Sequence, residues 1–293
     1  MIRVIPEAEL IINPDGRIYH LNLHPDDVAD TIITVGDPDR VKMITNYFDK
    51  IEIKAANREF VTHTGTLNGK RLTVISTGIG TDNIDIVLNE LDALVNIDFN
   101  TRTEKKIKKS LNIIRIGTSG GLQKNIPLDS FVISTGGLGL DGLLHFYKYL
   151  KSDTEEKTEK HLSEYLNQYN QIFRPYFREA SAKLISAFPE DQFVRGVTAT
   201  CTGFYGPQQR SLRAKPAAED FLEVLTKWKF EKSQITNFEM ETAGIIGVSN
   251  LLGHHSTSLN GIIAQRHDGK FSSNPGKTVK RLIESALPII LKI

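Results

Sequence analysis

Short runs of β-branched and aliphatic residues recur along the chain, and most of them end in or beside Gly, Thr or Ser. The clearest runs cover residues 31–35, 72–76, 112–116, 130–135, 194–200 and 259–264. Continuous apolar runs of about four to eight residues with such ends are typical of strands that are buried on both faces and followed by loops. We therefore expect these runs to form the strands of a buried sheet.

Between the runs, apolar residues recur at the three- and four-residue spacing that marks one face of a helix. These patterns lie at Val41, Ile44 and Phe48; at Ile84, Val87, Leu88, Leu91 and Leu94; at Leu162, Tyr165 and Leu166; at Phe221, Leu222 and Leu225; and at Val279, Leu282, Ile283, Ala286 and Leu287. The alternation predicts an α/β fold with ligands bound where loops leave the carboxyl ends of strands. Because α/β enzymes of this length often close around one core, we expect a single domain over residues 1–293.

The composition limits the choice of partner and compartment. With 36 Lys and Arg against 35 Asp and Glu, the formal net charge of +1 gives no overall field that would attract nucleic acid or an anionic membrane. The single cysteine, Cys201, excludes an intramolecular disulfide, which suits a reducing cytoplasm. Residues 1–7 contain an acid and a proline where a signal peptide requires an apolar core, and no later apolar run approaches bilayer length. We expect a cytoplasmic protein without nucleic-acid or membrane partners.

Two polar segments, residues 100–110 and 148–164, have the composition of surface excursions. The first holds five cationic side chains, which leaves a nucleic-acid-binding module as an alternative. A solvated loop is the more common role for such a segment.

The segment 36–40, with sequence GDPDR, follows the first predicted strand and precedes a helical pattern. Gly36 allows the backbone to approach a ligand closely, and Pro38 or Asp39 can begin the helix. The free N–H groups at a helix start attract an anion, which Arg40 can clamp. The segment is a candidate phosphate site, with a plain strand-to-helix turn as the alternative.

The segment 115–121, with sequence RIGTSGG, joins an arginine to what we interpret as a loop rich in glycine and hydroxyl groups. Arg115 lies on the same side of its strand as Gly117, and Thr118 adds a hydroxyl donor. Such a segment can surround a small anion with N–H and O–H groups. Glycines required only for tight packing are the alternative.

A third glycine cluster, residues 137–142, formally matches the G-x-G-x-x-G pattern of dinucleotide-binding proteins. One match is a weak signal, and here it comes late in the chain without a clear helix after it. We interpret it as a structural turn, and a dinucleotide-dependent oxidoreductase as an alternative of low weight.

The segment 204–210, with sequence FYGPQQR, places two aromatic rings before an amide and a guanidinium. A flat heterocycle can stack on Phe204 or Tyr205, while Gln208 and Arg210 contact its polar edge. A pyrimidine presents carbonyls and an N–H between them, which matches this mixture of donors and acceptors. A surface loop is the alternative.

The segment 237–244 holds two acids, Glu239 and Glu241, within an apolar stretch. A buried carboxylate requires strong hydrogen-bond donors, and the paired hydroxyls of a ribose supply them. One acid is therefore a candidate ribose ligand, and the other has a structural ion pair or cap as its simplest role. Acids two residues apart on one segment do not suit a two-carboxylate glycosidase.

Taken together, the segments resemble the nucleoside phosphorylase superfamily over about residues 19–291. The resemblance is carried by residues 36–40, 57–60, 76–80, 115–118 and 238–241 in this order. Within that superfamily, residues 204–210 resemble the uracil-reading loop of the uridine phosphorylases, and purine-specific members lack this Gln-x-Arg pair. The resemblance implies one α/β domain whose mixed central sheet is partly barrel-like and flanked by helices.

The resemblance also implies roles for individual residues. Phosphate would be bound by Gly36, Arg40, Arg115 and Thr118, with Arg58 supplied by a neighbouring subunit; ribose by Met240 and Glu241, with His20 reaching the 5′-hydroxyl in the adjacent subunit; and the base by Phe204, Gln208, Arg210 and Arg266. Among these, Arg115, Glu241 and Arg210 would act most directly in catalysis. The implied enzyme is a homodimer with shared active sites, or a hexamer built from such dimers. It uses phosphate as a co-substrate and requires no cofactor or metal.

The implied reaction is the reversible phosphorolysis of uridine or deoxyuridine to uracil and ribose or deoxyribose 1-phosphate. A hydrolytic nucleosidase of the same fold is an alternative, although it would have no use for three arginines around an anion. A purine nucleoside phosphorylase is the other alternative. Purine-specific members carry an acid near the position of Arg266, and Asp268 lies two residues beyond it.

Overall fold

The predicted alternation of strands and helices is present in the computed structural model, which describes residues 3–168, 174–218 and 220–293. The strands are β1 Thr31–Val35, β2 Lys50–Asn57, β3 Phe60–Leu67, β4 Lys70–Ser76, β5 Ile97–Asp98, β6 Thr103–Glu104, β7 Asn112–Gly121, β8 Phe131–Gly139, β9 Tyr176–Glu179, β10 Phe193–Thr200, β11 Lys229–Phe230, β12 Ser233–Glu239, β13 His255–Gln265 and β14 Lys270–Phe271. The helices are α1 Pro38–Thr45, α2 Thr81–Asn96, α3 Asp153–Gln168, α4 Ala182–Ala187, α5 Phe221–Lys227, α6 Thr242–Leu252 and α7 Pro275–Ile290, with 3-10 turns at Pro25–Asp27, Leu143–Phe146 and Gly206–Gln208. The predicted single domain over residues 1–293 includes residues 1–2, 169–173 and 219, which lie outside the described residues.

The central sheet is mixed and partly closed. Its strands follow the order β11-β12-β10-β8-β13-β7-β1-β4-β3-β2, with β9 beside β8 and β14 beside β13. A further antiparallel pairing joins β12 to β7, through Asn237 opposite Gly121 and Phe238 opposite Gly120. Strands β7, β13, β8, β10 and β12 therefore form a closed ring, from which β1, β4, β3 and β2 extend as an open sheet. The predicted fold class, including its barrel-like part, is confirmed.

Both faces of the central strands, such as β1 and β7, are buried, which explains the continuous apolar runs in the sequence. All five residues of β1 are buried: Ile33 and Val35 pack with residues of α1, α4 and α7, and Ile32 packs with residues of α2 and α6. A third cluster joins α3 and α5 to the ring strands β10 and β12. A strand covered on two sides has no polar face, so its sequence shows no alternation.

The glycines of residues 137–142 serve packing. Gly137 and Gly139 lie inside β8, so this strand is longer than the predicted 130–135 run. A Cβ atom on Gly139 would lie 2.0 Å from the Tyr176 ring, and one on Gly137 would lie 2.6 Å from the backbone of Ala243 in α6. Gly142, with φ of +86°, ends the turn that follows. The structural interpretation of this cluster holds, although the first two glycines belong to the strand itself.

Residues 100–110 run along the surface and hold the amino-terminal segment in place. Arg102 donates from Nε to the Ile5 carbonyl at 2.9 Å. Lys105 donates to the Val95 carbonyl at 3.0 Å, and Lys108 and Lys109 form ion pairs with Glu104 and Asp30, respectively. Most of these cations therefore have protein partners, which weakens the nucleic-acid alternative.

Residues 148–164 are not merely a surface excursion, and this prediction was wrong for most of the segment. Helix α3 begins at Asp153 and buries Leu162 in the third core cluster. Near its start, Glu155 is buried and accepts from Arg178 of β9 at 2.9 Å. The segment is polar because an amphipathic helix covers the sheet edge with one face only.

No helix within the described ranges combines the length and the apolar character needed to cross a bilayer.

The contact between Gly139 and the Tyr176 ring gives a test of the packing role of these glycines. We expect Gly139→Ala to lower the free energy of unfolding by about 1–3 kcal/mol, since the added methyl group must displace a fully buried ring. The matched control is Gly276→Ala in α7, where the new Cβ atom would meet nothing closer than 3.8 Å. That control should be neutral or stabilising by roughly 0.4–1 kcal/mol in urea unfolding. Equal effects of the two substitutions would contradict the packing role.

Candidate active site

A cavity of about 670 Å³ opens where β1, β4, β7, β10 and β12 end at their carboxyl termini. Of the twelve residues predicted for the site, nine line this cavity: Gly36, Arg40, Arg115, Thr118, Phe204, Gln208, Arg210, Met240 and Glu241. His20, Arg58 and Arg266 do not. The predicted phosphate, ribose and base segments, which are distant in sequence, therefore meet in one space.

The loop between β1 and α1 places Arg40 at one end of the cavity. Asp37 caps α1 by accepting the backbone N–H of Asp39 at 3.0 Å, and Pro38 is the first helical residue. Arg40, in the first turn, donates to the Ile116 carbonyl of β7 at 3.2 Å. Burial and the nearby charge of Arg115 lower the pKa of Arg40. The half-buried Arg40 and the buried Arg115, whose charges repel each other, favour binding of an anion between them.

The predicted loop after Arg115 is a strand instead. Strand β7 continues through Gly121 because β13 pairs with it along its whole length. The pairing with β1, by contrast, ends at Arg115, which leaves that edge of β7 open towards the cavity. A Cβ atom on Gly117 would lie 1.6 Å from Nη1 of Arg115. Gly117 therefore makes room for the Arg115 guanidinium to fold across the strand.

Arg115 is buried and faces two carboxylates. Its Nη2 lies 2.5 Å from Oε2 of Glu241 and 3.3 Å from Oε2 of Glu239. The other oxygen of Glu241 accepts the backbone N–H of Gly80 at 2.9 Å. Arg115, predicted to bind phosphate, and Glu241, predicted to bind ribose, are thus in direct contact.

Glu239 is the other acid of its segment, for which an ion pair or a cap was the simplest predicted role, and it forms contacts of both kinds. It ends β12, and its carboxylate accepts the backbone N–H groups of Glu241 and Thr242 at 3.0 Å and the hydroxyl of Thr200 at 2.8 Å. These bonds fix the turn that begins α6 and so place Glu241. Burial raises the pKa of Glu239 to about 7; Arg115 acts against this shift and Glu241 adds to it.

The 3-10 turn Gly206–Gln208 contains Gln208, and the predicted base-binding residues Phe204 and Arg210 lie on either side of it. Gln208 is buried, and Arg210 donates to its Oε1 at 2.5 Å and to the Phe204 carbonyl at 2.8 Å. The Arg210 guanidinium lies 3.7 Å from the centre of the Phe204 ring. Burial, followed by the neighbouring charge of Arg266, lowers the pKa of Arg210 to about 10. Tyr205, the other candidate for stacking, does not line the cavity.

Arg266 contacts the loop of residues 204–210, which is predicted to bind the base, and does not itself line the cavity. Its Nη2 lies 3.3 Å from the carbonyl oxygens of both Gln208 and Gln209, and its stem packs on Gly120. In the unliganded protein it anchors this loop, and its direct contact with a base stays a prediction.

Neither His20 nor Arg58 lines the cavity of its own chain, although Glu59, the residue after Arg58, does. Arg58 occupies the turn of the β2–β3 hairpin with φ of +54°, beside a separate groove that Tyr19 and Asn57 also line. Asn57 donates to the His20 carbonyl at 2.9 Å. Glu90 lies 2.6 Å from Nδ1 of His20 and also accepts its backbone N–H. The histidine is therefore held firmly, with its ring Nε2 left for another partner.

Several cavity residues were not predicted. Ile79 and Phe271 line the mouth although they are 66% and 63% exposed, and Phe238 lies deeper. Ile79 and Phe238 lie inside segments that carried the family resemblance, which could have drawn attention to them. Phe271 lies in no motif and reaches the cavity only because β14 folds back on β13. Over the ranges the structure describes, no three His, Cys, Asp or Glu side chains group as metal ligands would.

Comparison with known proteins fits this geometry. The phosphorylase superfamily profile matches residues 30–292, and the chain belongs to this superfamily. Among its relatives are uridine phosphorylases: that of Thermococcus kodakarensis is 27% identical over 99% of this chain and 92% of the relative, and that of Escherichia coli is 29% identical over 94% and 96%. A Trypanosoma brucei nucleoside phosphorylase, whose crystal structure is described as showing uridine phosphorylase activity, superposes with a TM-score of 0.88 at 29% identity, covering 97% of this chain and all of the other.

The raised pKa of Glu239 predicts a pH-dependent contribution to stability. Between its ordinary value of 4.5 and about 7, the unfolded chain releases this proton while the folded protein keeps it. The folded state then binds more protons, so this contribution falls as the pH rises through that window. We expect the free energy of unfolding of Glu239→Gln, relative to wild type, to increase between about pH 5 and pH 8 in urea titrations. A difference that stays constant with pH would contradict the raised pKa.

Proposed function

We propose that this protein is a uridine phosphorylase, a pentosyltransferase that converts uridine and phosphate reversibly into uracil and ribose 1-phosphate. The observation that carries the proposal is the meeting of Arg40 and Arg115 with Glu241 and the Gln208–Arg210 pair in one cavity. The uridine phosphorylase relatives, aligned over nearly the whole chain, support it.

The arginine end of the cavity suits phosphate. Arg40 and Arg115 supply donors in fixed, fork-like groups, and the hydroxyl of Thr118 and the backbone at Gly36 add neutral contacts. A phosphate bound there faces the sugar position beside Met240 and Glu241. Since a guanidinium remains charged at working pH, it can stabilise the phosphate throughout the reaction.

The carboxylate of Glu241 suits the ribose. In the unliganded protein it is paired with Arg115 and the Gly80 N–H. When phosphate binds Arg115, the carboxylate can accept sugar hydroxyls in exchange. Held in this way, it lies close to the positive charge that develops on the sugar in an oxocarbenium-like transition state.

The Gln208–Arg210 pair suits the leaving base. A phosphate oxygen forms a bond to the anomeric carbon as the bond to the base nitrogen breaks, and the bonding electrons move onto the uracil ring and its carbonyl oxygens. Gln208 offers a donor and an acceptor to the uracil edge, and Arg210 stabilises the negative charge. Hydrogen phosphate loses one proton as it becomes the ribose ester, and the leaving uracil gains one by way of solvent, because arginine is not an acid at working pH. No redox or organic cofactor is needed for this balance.

The geometry favours this function over both alternatives. A nucleosidase activates water and gains nothing from the buried Arg115 and the half-buried Arg40 at the sugar. For a purine-specific enzyme, Asp268 would have to protonate the base. It is about half exposed, pairs with His267 at 3.9 Å and does not line the cavity.

We further propose a homodimer in which His20 and Arg58 complete the cavity of the second subunit. His20 is held by Glu90 of its own chain, Arg58 is exposed at the hairpin turn, and neither residue lines its own cavity. Hexamers built from such dimers and a cytoplasmic location belong to the same proposal; the lone, buried Cys201 suits that compartment.

A direct assay tests the proposed reaction. Uracil release from uridine should require phosphate and should yield one ribose 1-phosphate for each uracil, because the arginines hold phosphate as the attacking group. Inosine should react with far lower kcat/KM, since a purine cannot present the uracil edge to Gln208 and Arg210. Equal rates in phosphate-free buffer would indicate a nucleosidase, and comparable efficiency on inosine would indicate a purine enzyme.

Subunit complementation tests the shared site. Arg58→Ala and Arg115→Ala should each be nearly inactive alone. If Arg58 acts in the second subunit, a mixed dimer has one intact cavity and one that lacks both arginines. Random reassembly makes about half the dimers mixed, so activity should return to about a quarter of wild type by two-fold symmetry. Mixed dimers, verified by mass, that stay as inactive as the single variants would contradict sharing.

A further inference from the structure

The Arg115 guanidinium has a second anchor that is not a carboxylate. While Nη2 faces Glu239 and Glu241, Nη1 donates to Oδ1 of Asn260 at 2.9 Å. Asn260 lies on β13 in register with Gly117, the glycine that makes room for the arginine. Its side chain is fully buried and does not line the cavity. It therefore reaches Arg115 from the protein interior rather than from the substrate side.

The orientation of the Asn260 amide is fixed by the residues behind it. Its Nδ2 donates to the hydroxyl oxygen of Ser258 at 3.0 Å, and that oxygen also accepts from the Thr242 hydroxyl at 3.0 Å. A reversed amide would point its N–H groups at the N–H groups of Arg115, where both sides are donors. The chain Arg115–Asn260–Ser258–Thr242 thus ties the arginine to the first residue of α6, directly after Glu241.

An amide at this position supplies a hydrogen bond without adding a charge. Two carboxylates, Glu239 and Glu241, already face Arg115, and the half-buried Arg40 adds a second cation nearby. A third carboxylate would hold the guanidinium as well but would oppose an incoming anion in a poorly solvated space. Glu241 must also turn towards the ribose during the reaction, whereas Asn260 can keep its contact.

We propose that Asn260 and Ser258 are positioning residues for phosphate: a neutral clamp that holds Arg115 in place while Glu241 exchanges the arginine for ribose hydroxyls. This inference rests on the proposed function, in which Arg115 binds phosphate. It assigns a role in substrate affinity to two buried residues that contact no substrate.

The test compares Asn260→Ala, Asn260→Asp and Ser258→Ala with a matched control, Ser256→Ala. Ser256 lies on the same strand, two residues before Ser258 on the same face and equally buried. Its hydroxyl has no hydrogen-bond partner within the described part of the chain. Two quantities are measured for each protein: the Kd of inorganic phosphate by calorimetry without nucleoside, and the separate KM values for phosphate and uridine.

We expect Asn260→Ala to weaken phosphate binding about tenfold or more, the size of one lost hydrogen bond to a charged group, with a much smaller change in the KM for uridine. Asn260→Asp should weaken phosphate binding at least as much, although it keeps the shape and the acceptor for Arg115. Ser258→Ala should have a smaller effect of the same kind, and Ser256→Ala should match wild type.

Three outcomes would overturn the inference. Asn260→Asp and Asn260→Ala that bind phosphate within about twofold of wild type would show that no neutral clamp is needed. Equal rises in the KM for phosphate and for uridine would indicate a general loss of packing. If wild type itself bound no phosphate and released uracil without it, the proposed function would fail together with the inference. Failure of Asn260→Ala to fold would leave Ser258→Ala to decide, because that change removes only one hydroxyl.

Discussion

The buried contact between Arg115 and the carboxylates of Glu239 and Glu241 is the interaction on which the site depends. Charges removed from water are tolerated only when their partners and hydrogen bonds are complete. Here Gly117 gives the guanidinium its space, Asn260 satisfies its second nitrogen, and backbone N–H groups at the start of α6 satisfy Glu239. The cluster links β7, β12, β13 and α6, and so the ends of these elements are fixed relative to one another.

Closure of the strand ring is what makes such a cluster possible. Glu239 ends β12 and Glu241 follows it, while Arg115 lies on β7, and the two strands are neighbours because β12 pairs back onto Gly120 and Gly121. Glycine is needed there because a Cβ atom on Gly121 would lie 2.9 Å from the Ile262 side chain of β13. The same closure positions the Gln208 turn, whose amide lies 3.4 Å from the Glu239 carbonyl. The predicted anion, sugar and base regions of the cavity are therefore held in place by the same strands.

Local sequence was sufficient to predict strands and helix starts that depend only on neighbouring residues and burial. The run at β1 matched its strand because both faces are buried, and α1 begins at Pro38, one of the two predicted starting residues. It was insufficient where a distant partner decides. Residues 117–121 resemble a loop by composition but are a strand because β13 pairs with them. The β2–β3 hairpin was not predicted because half of β2 faces solvent. Its exposed residues Lys50, Glu52 and Lys54 interrupt what would otherwise be a continuous apolar run. Glu90 and Asn260 carry no motif, and only the fold shows what they contact.

The predicted site residues fall into two groups, those that line the cavity of their own chain and those that do not. Nine predicted residues converge on the cavity, and Arg266 supports it, but His20 and Arg58 lie outside. Glu90 holds His20 in place by hydrogen bonds to its ring and its backbone. Fixing an exposed side chain costs conformational entropy, and a chain gains nothing from this if the side chain has no further contact. A left-handed backbone at Arg58 adds to that cost. A histidine that is held in place and an arginine with a strained backbone, both outside the cavity of their own chain, therefore fit the proposed symmetric dimer, in which each subunit supplies what its own fold places on the surface.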